Sequence, residues 1–117
     1  MLDGESAATV NWEAALARVR GDRELLRELV EIFFREEPLW LEQIRRAVEN
    51  KDAAALQLGA HTLKGALGTI GATTASQLAE SLEMMGHSRE LSEARTGLAQ
   101  LEKALVRLRA DLQEIAK

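Results

Sequence analysis

Two interleaved apolar series run through the last quarter of this 117-residue chain and restrict what it can fold into. Leu91, Leu98, Leu105 and Leu112 recur every seven residues, and Ala94, Leu101, Leu108 and Ile115 form a second series of the same period. On a helix of about 3.6 residues per turn, both series fall on one stripe, the seam of a coiled coil or a helical bundle. The spacing predicts a helix over 90–115. Other segments also carry amphipathic stripes, so this seam is expected to pack inside its own chain against an antiparallel neighbour.

Composition points the same way. Hydrophobic residues make up 46% of the chain but aromatics only 3%, so the core must be aliphatic. The sequence is dominated by Leu, Ala, Glu and Arg, which lose little side-chain entropy in helices, and it has a single Pro and no Tyr. A chain of this length suits one domain. The absence of Cys removes disulfide frameworks, thiolate catalysis and Cys-based metal sites. A net charge of −4 argues against a nucleic-acid module or a binder of anionic membranes. No apolar run approaches the length of a membrane span. Met1-Leu2-Asp3-Gly4-Glu5 is too acidic for a secretory leader, so a cytoplasmic location is expected.

Residues 1–10 are small and polar and read as a flexible arm before a helical domain over 11–117. Asn11 is a candidate cap for a short helix over 12–19, and Asp22 for a long helix over 23–49. Leu26, Val30, Phe33, Leu41, Ile44 and Val48 supply the long helix's stripe, which Glu37 interrupts. Pro38 predicts a kink or break there. Phe34 and Trp40 lie off the stripe and are expected against the short first helix. Asp52 caps a third helix over 53–70, ended by Gly71 in the left-handed conformation. A fourth helix over 74–85 is expected to be capped by Thr73 or Thr74 and ended by Gly86, with His87 in the following loop. The fold class is therefore all-α: an antiparallel up-down four-helix bundle with an additional short N-terminal helix.

The third helix breaks a local rule. Leu56, Ala60, Leu63, Leu67 and Ile70 form its buried stripe. Turning at about 100° per residue, His61 falls roughly 140° from the stripe's centre, Gly65 about 180° and Gly68 about 120°. All three are expected to face outward. Glycine inside a helix costs about 1 kcal/mol relative to Ala. Gly59, about 60° from the stripe centre by the same rotation, has a packing reason. Gly65 and Gly68 do not, and a local rule broken on an exposed face points to function. Missing side chains beside His61 let another molecule approach the imidazole closely. Lys64, three residues on, is its neighbour. The ammonium disfavours a protonated ring and can neutralise an anion arriving there. An exposed imidazole, a nearby cation and a cleared approach suit accepting and donating a phosphoryl group.

At these residues the sequence resembles the histidine-containing phosphotransfer domain of two-component phosphorelays. The family core, His-x-Leu-Lys-Gly-(Ser/Ala) followed by Gly-Ala, reads here His61-Thr62-Leu63-Lys64-Gly65-Ala66 and Gly71-Ala72. Gly21-Asp22-Arg23-Glu24-Leu25-Leu26, Phe33, Pro38 and Leu82-Glu83 extend the similarity over about 11–112. The resemblance implies a phosphorelay intermediate in which His61 takes a phosphoryl group from a receiver aspartyl phosphate and passes it to another receiver Asp. It implies Lys64 as the cation beside that group and Gly65 as the residue giving the partner room. Leu58, Ala54 and Gln57 share the outward face and, with Gly65 and Gly68, form the expected receiver footprint. Gln57 and Glu83 are candidates to orient the ring.

The expected partners are response-regulator receiver domains and a hybrid sensor histidine kinase, with the domain itself a monomer that uses no cofactor. Mg²⁺ is expected on the receiver's acidic cluster, because no outward carboxylate near His61 is placed to hold a metal. Two His without Cys lack zinc-ligand spacing. Autokinase activity is disfavoured, since Thr62 stands where kinase dimerisation helices carry an acidic residue and no Gly-rich ATP lid is present. A helical adaptor without transfer chemistry is the alternative reading. Arg18, Arg20, Arg23 and Arg27 form no stripe interleaved with aromatics and read as solvated helix faces.

Overall fold

The computed structural model describes residues 9–116. Five helices follow one another: α1 (Trp12–Arg18), α2 (Arg23–Glu49), α3 (Ala53–Thr69), α4 (Thr73–Ser88) and α5 (Ala94–Ala116). No strand occurs among the described residues. The four longer helices form the bundle and α1 packs at one end, as the periodicity predicts. Most of the predicted N-terminal arm, 1–8, lies outside the described residues. Its last two positions are held: Val10 is buried, and Thr9 Oγ1 donates to Asp111 Oδ2.

Three helix starts are fixed by the side chains expected. Asn11, Asp22 and Asp52 each accept a hydrogen bond at 3.0 Å, from the backbone N–H of Ala14, Leu25 and Ala55. Each satisfies a donor that the first helical turn leaves without an intrahelical partner. The fourth start differs from expectation. Ala72 stands at the N-cap of α4 without a side-chain bond, and both Thr73 and Thr74 belong to the helix. The Gly71–Ala72 corner is stabilised instead by the backbone. Gly71 has φ +77°, its C=O accepts from Asn11 N–H at 2.8 Å, and the Ala72 N–H bonds Leu67 C=O at 2.9 Å.

The core is aliphatic. Leu26, Val30, Ile44, Leu56, Leu63, Leu67, Leu82, Leu101, Leu108 and Leu112 are fully buried or nearly so. The heptad seam closes within the chain, although α5 begins at Ala94 rather than near 90, with Leu91 half-buried ahead of it. The side chain of Ile115 lies outside the described residues. Pro38 does not break α2, which runs unbroken from Arg23 to Glu49. Glu37, the interruption in the stripe, is buried at 3% exposure and paired with Arg109 Nη1 at 2.7 Å. The same guanidinium lies over the Phe34 ring, 4.9 Å from its centroid. Phe34 and Trp40 are half-buried against the core, where Phe34 meets Arg109 of α5 and Trp40 tilts against Phe33 at 6.4 Å.

Two glycines govern how closely α3 meets its neighbours. A Cβ on Gly59 would lie 3.2 Å from Ile44 Cγ1, which is the close packing against α2 that its position predicts. A Cβ on Gly86 would fall 2.6 Å from Gln57 N and 2.7 Å from Ala53 O. Gly86 therefore does not end α4, which continues to Ser88 before Arg89 turns left-handed at φ 61°. It lets the backbones of α3 and α4 touch. Replacing Gly86 with Ala is expected to lower stability by about 1–3 kcal/mol through overpacking. Replacing Gly65 with Ala, where nothing lies within 4 Å of the new Cβ, is expected to raise it by about 1 kcal/mol. Urea unfolding of both variants checks the opposite signs.

Candidate functional site

The middle of α3 presents His61 outward, as its place on the helical wheel requires. Leu56, Ala60, Leu63 and Leu67 turn into the core, and the His61 side chain remains 64% exposed. Gly65 is exposed with open space where a side chain would stand. Gly68 departs from expectation: it is half-buried, and its missing Cβ would lie 4.0 Å from Ser76 Oγ on α4. Of the two glycines, Gly65 alone keeps the approach clear. Leu58 is 68% exposed, and Ala54 is exposed one turn earlier. Leu58 also lines an open groove of about 440 Å³ between α2 and α3, with Gln43, Arg46, Ala55 and Thr62.

The ring is fixed from α4. His61 Nδ1 lies 2.8 Å from Glu83 Oε2, and Lys64 Nζ lies 2.7 Å from Glu83 Oε1. One carboxylate thus serves both neighbours, and of the two sequence candidates for orienting the ring, Glu83 does so. Gln57 does not: its amide turns to His87, with Nε2 3.2 Å from His87 Nδ1. His87 accordingly belongs to the last turn of α4 and not to a loop.

Electrostatics follow from this arrangement. The Lys64 ammonium, and after it His61, holds the Glu83 carboxyl below the ordinary carboxylate range against the opposing effect of partial burial. Glu83 in turn raises the Lys64 ammonium. An ionised carboxylate only accepts hydrogen bonds, so His61 must donate through Nδ1–H. In the neutral ring, this leaves the Nε2 lone pair bare and pointing away from Glu83. The sequence assigns Lys64 the task of keeping the ring neutral by repulsion, but Glu83 bonds both groups and offsets the ammonium's charge beside the ring. Among the described residues, no group of three or more His, Cys, Asp or Glu side chains could hold a metal.

An outward imidazole with a bare Nε2, a cation within reach and a cleared approach can accept and release a phosphoryl group. The sequence model of the Hpt domain matches residues 28–116. The chain belongs to the Hpt domain family. Two solved structures share the fold of this Hpt domain. One is histidine-containing phosphotransfer protein B (HptB) from Pseudomonas aeruginosa PAO1, with TM-score 0.83, 21% identity, and 91% of this chain and 92% of that one covered. The other is the HPT domain of a sensor hybrid histidine kinase from Shewanella, with TM-score 0.82, 20% identity and coverage of 92% and 93%. At such identities the likeness speaks for the fold. A search of curated proteins finds no match. The Hpt domain is a phosphorelay component that carries out histidine phosphotransfer, and domains of this family work with receiver domains and hybrid kinases. No helix among the described residues is long and apolar enough to cross a membrane.

The Glu83 contacts have a definite pH dependence. Its carboxyl titrates lower in the folded than in the unfolded state, where Glu ionises near about 4.3. The stability it contributes is therefore present above that value and lost as pH falls through the lower folded-state value. Glu83→Gln is expected to be less stable than the parent at pH 7, with the difference vanishing in the acid range. Urea midpoints of both proteins across that range test this.

Proposed function

We propose that His61 is the phosphoryl-accepting residue of this Hpt domain and that receiver domains dock on the outward face of α3. The observation that carries the proposal is the Nδ1 contact to Glu83, which leaves Nε2 as the free nucleophilic atom beside the open space at Gly65. In the forward step, the Nε2 lone pair attacks the phosphorus of a receiver aspartyl phosphate in line. The N–P bond forms, the P–O bond to the aspartyl carboxyl breaks, and the carboxylate leaves with the electron pair. The imidazole becomes a cation carrying its proton on Nδ1, opposite Glu83. The reverse step returns the phosphoryl group to a receiver Asp.

Little covalent work falls to the Hpt side, because phosphoryl transfer is mainly positioning and charge stabilisation. Glu83 balances the positive charge that appears on the ring. Lys64 is then able to exchange Glu83 for a phosphoryl oxygen. Mg²⁺ chemistry belongs to the receiver, and this chain uses no cofactor of its own. Ala54, Gln57, Leu58, Gly65 and Gly68 contribute to the docking footprint: Leu58 supplies the largest apolar contact, and Gly65 the clearance. The domain acts as a monomer in the cytoplasm, exchanging phosphoryl groups with a hybrid kinase and response regulators. Such partners must part after transfer, which favours a small interface.

His61→Gln is expected to abolish labelling from a phosphorylated receiver while helix content and melting temperature stay unchanged. Persistent labelling would overturn the assignment. Gly65→Leu is expected to fold at least as stably, yet to lower kcat/KM for transfer by at least about tenfold, or ~1.4 kcal/mol. Receiver-to-Hpt transfer assays with purified partners measure both.

A further inference from the structure

The α3–α4 seam carries a second imidazole, that of His87, in addition to His61. Gln57 precedes His61 by one turn on α3, and His87 follows Glu83 by one turn on α4. The two bridges, His61–Glu83 and Gln57–His87, are therefore successive rungs across one seam, about 6 Å apart along the helices. Gly86 makes the second rung possible, since the backbone of α4 touches that of Gln57 there and seats His87 directly over α3.

The rungs impose opposite tautomers. The Glu83 carboxylate can only accept, so the neutral His61 ring carries its proton on Nδ1 and offers a bare Nε2. The Gln57 Nε2 amide can only donate, so His87 Nδ1 must accept at 3.2 Å. In the neutral ring, the proton of His87 then sits on Nε2. A nucleophilic nitrogen and a neutral N–H donor thus stand one turn apart on the same outward face, and His87 is itself exposed.

We propose that His87 is a phosphoryl-binding residue: its Nε2–H donates to an oxygen of the phosphoryl group carried on His61, with Gln57 fixing the donor tautomer. This rests on His61 being the acceptor. In this proposal Lys64, on the Gly65 side of His61, and His87, on the Gln57 side, both contact the phosphoryl oxygens. The donor acts only when the group is present, so it favours phosphohistidine over the free ring.

The quantity to measure is the equilibrium constant for exchange between a receiver aspartyl phosphate and the Hpt domain, at protein concentrations below the docking affinity. His87→Phe, which keeps the ring's bulk and removes the donor, is expected to shift that constant toward the receiver by at least about threefold with melting temperature unchanged. His87→Gln, which restores an N–H donor, is expected to recover part of the shift. In the parent protein, long-range ¹H–¹⁵N spectra should show His87 protonated on Nε2, and that nitrogen should shift on phosphorylation of His61. An equilibrium constant unchanged in His87→Phe, or a His87 resonance indifferent to phosphorylation, would overturn the proposal. Labelling that survives in His61→Gln would instead overturn the acceptor assignment. The spectra of the parent protein decide the matter even if a variant fails to fold.

Discussion

The site depends on the near contact of two helix backbones at Gly86. Only a residue without a Cβ fits where α4 meets the Ala53–Gln57 turn of α3. That contact fixes the separation of the two helices along the turns that follow. At that separation, a Glu side chain from α4 spans to both His61 and Lys64, and the Gln57 amide spans to His87. A wider seam would leave the imidazole free to rotate and either nitrogen free to carry the proton. Packing geometry in the bundle thus becomes chemical selectivity at one ring.

Glu83 sets the tautomer of the neutral His61 ring and offsets the charge of Lys64. In the proposed transfer it also opposes the cation formed when Nε2 takes a phosphoryl group. Because Glu83 is shared, Lys64 is held near the ring, so the proposed transfer would need little further side-chain ordering. Its carboxyl stays ionised through the neutral range because Lys64 and His61 favour the charged form more than partial burial disfavours it. A second ion pair shows the contrasting use of similar chemistry. Glu37 and Arg109 join α2 to α5 in the interior, where an unpaired carboxylate would be costly, and the guanidinium also covers Phe34. That pair holds the scaffold, whereas Glu83 faces the working surface.

Much of this was readable along the chain. The seven-residue series predicted α5 and its closure within the bundle. Asn11, Asp22 and Asp52 marked three helix starts, since a short acceptor side chain ahead of an amphipathic stripe has one favourable use. Wheel geometry placed His61, Leu58 and Gly65 outward. It erred at Gly68, because a wheel knows nothing of where the next helix lies and α4 passes close beside it. It also misjudged Gly86 and His87. A glycine after an apolar stripe reads equally as a stop or as a contact, and only the neighbouring α3 backbone distinguishes them. Glu37 looked like a flaw in a stripe because Arg109, its partner, is 72 positions away.

The sequence by itself determined the helical character, the single bundle and the outward imidazole flanked by a cation and a bare glycine. These follow from local propensity and periodicity, which act within a few turns. Tertiary structure decided which nitrogen of His61 is free, what Lys64 pairs with, and that His87 joins the same face. Those outcomes depend on distances of under 3.5 Å between side chains on different helices, which residue order alone does not specify.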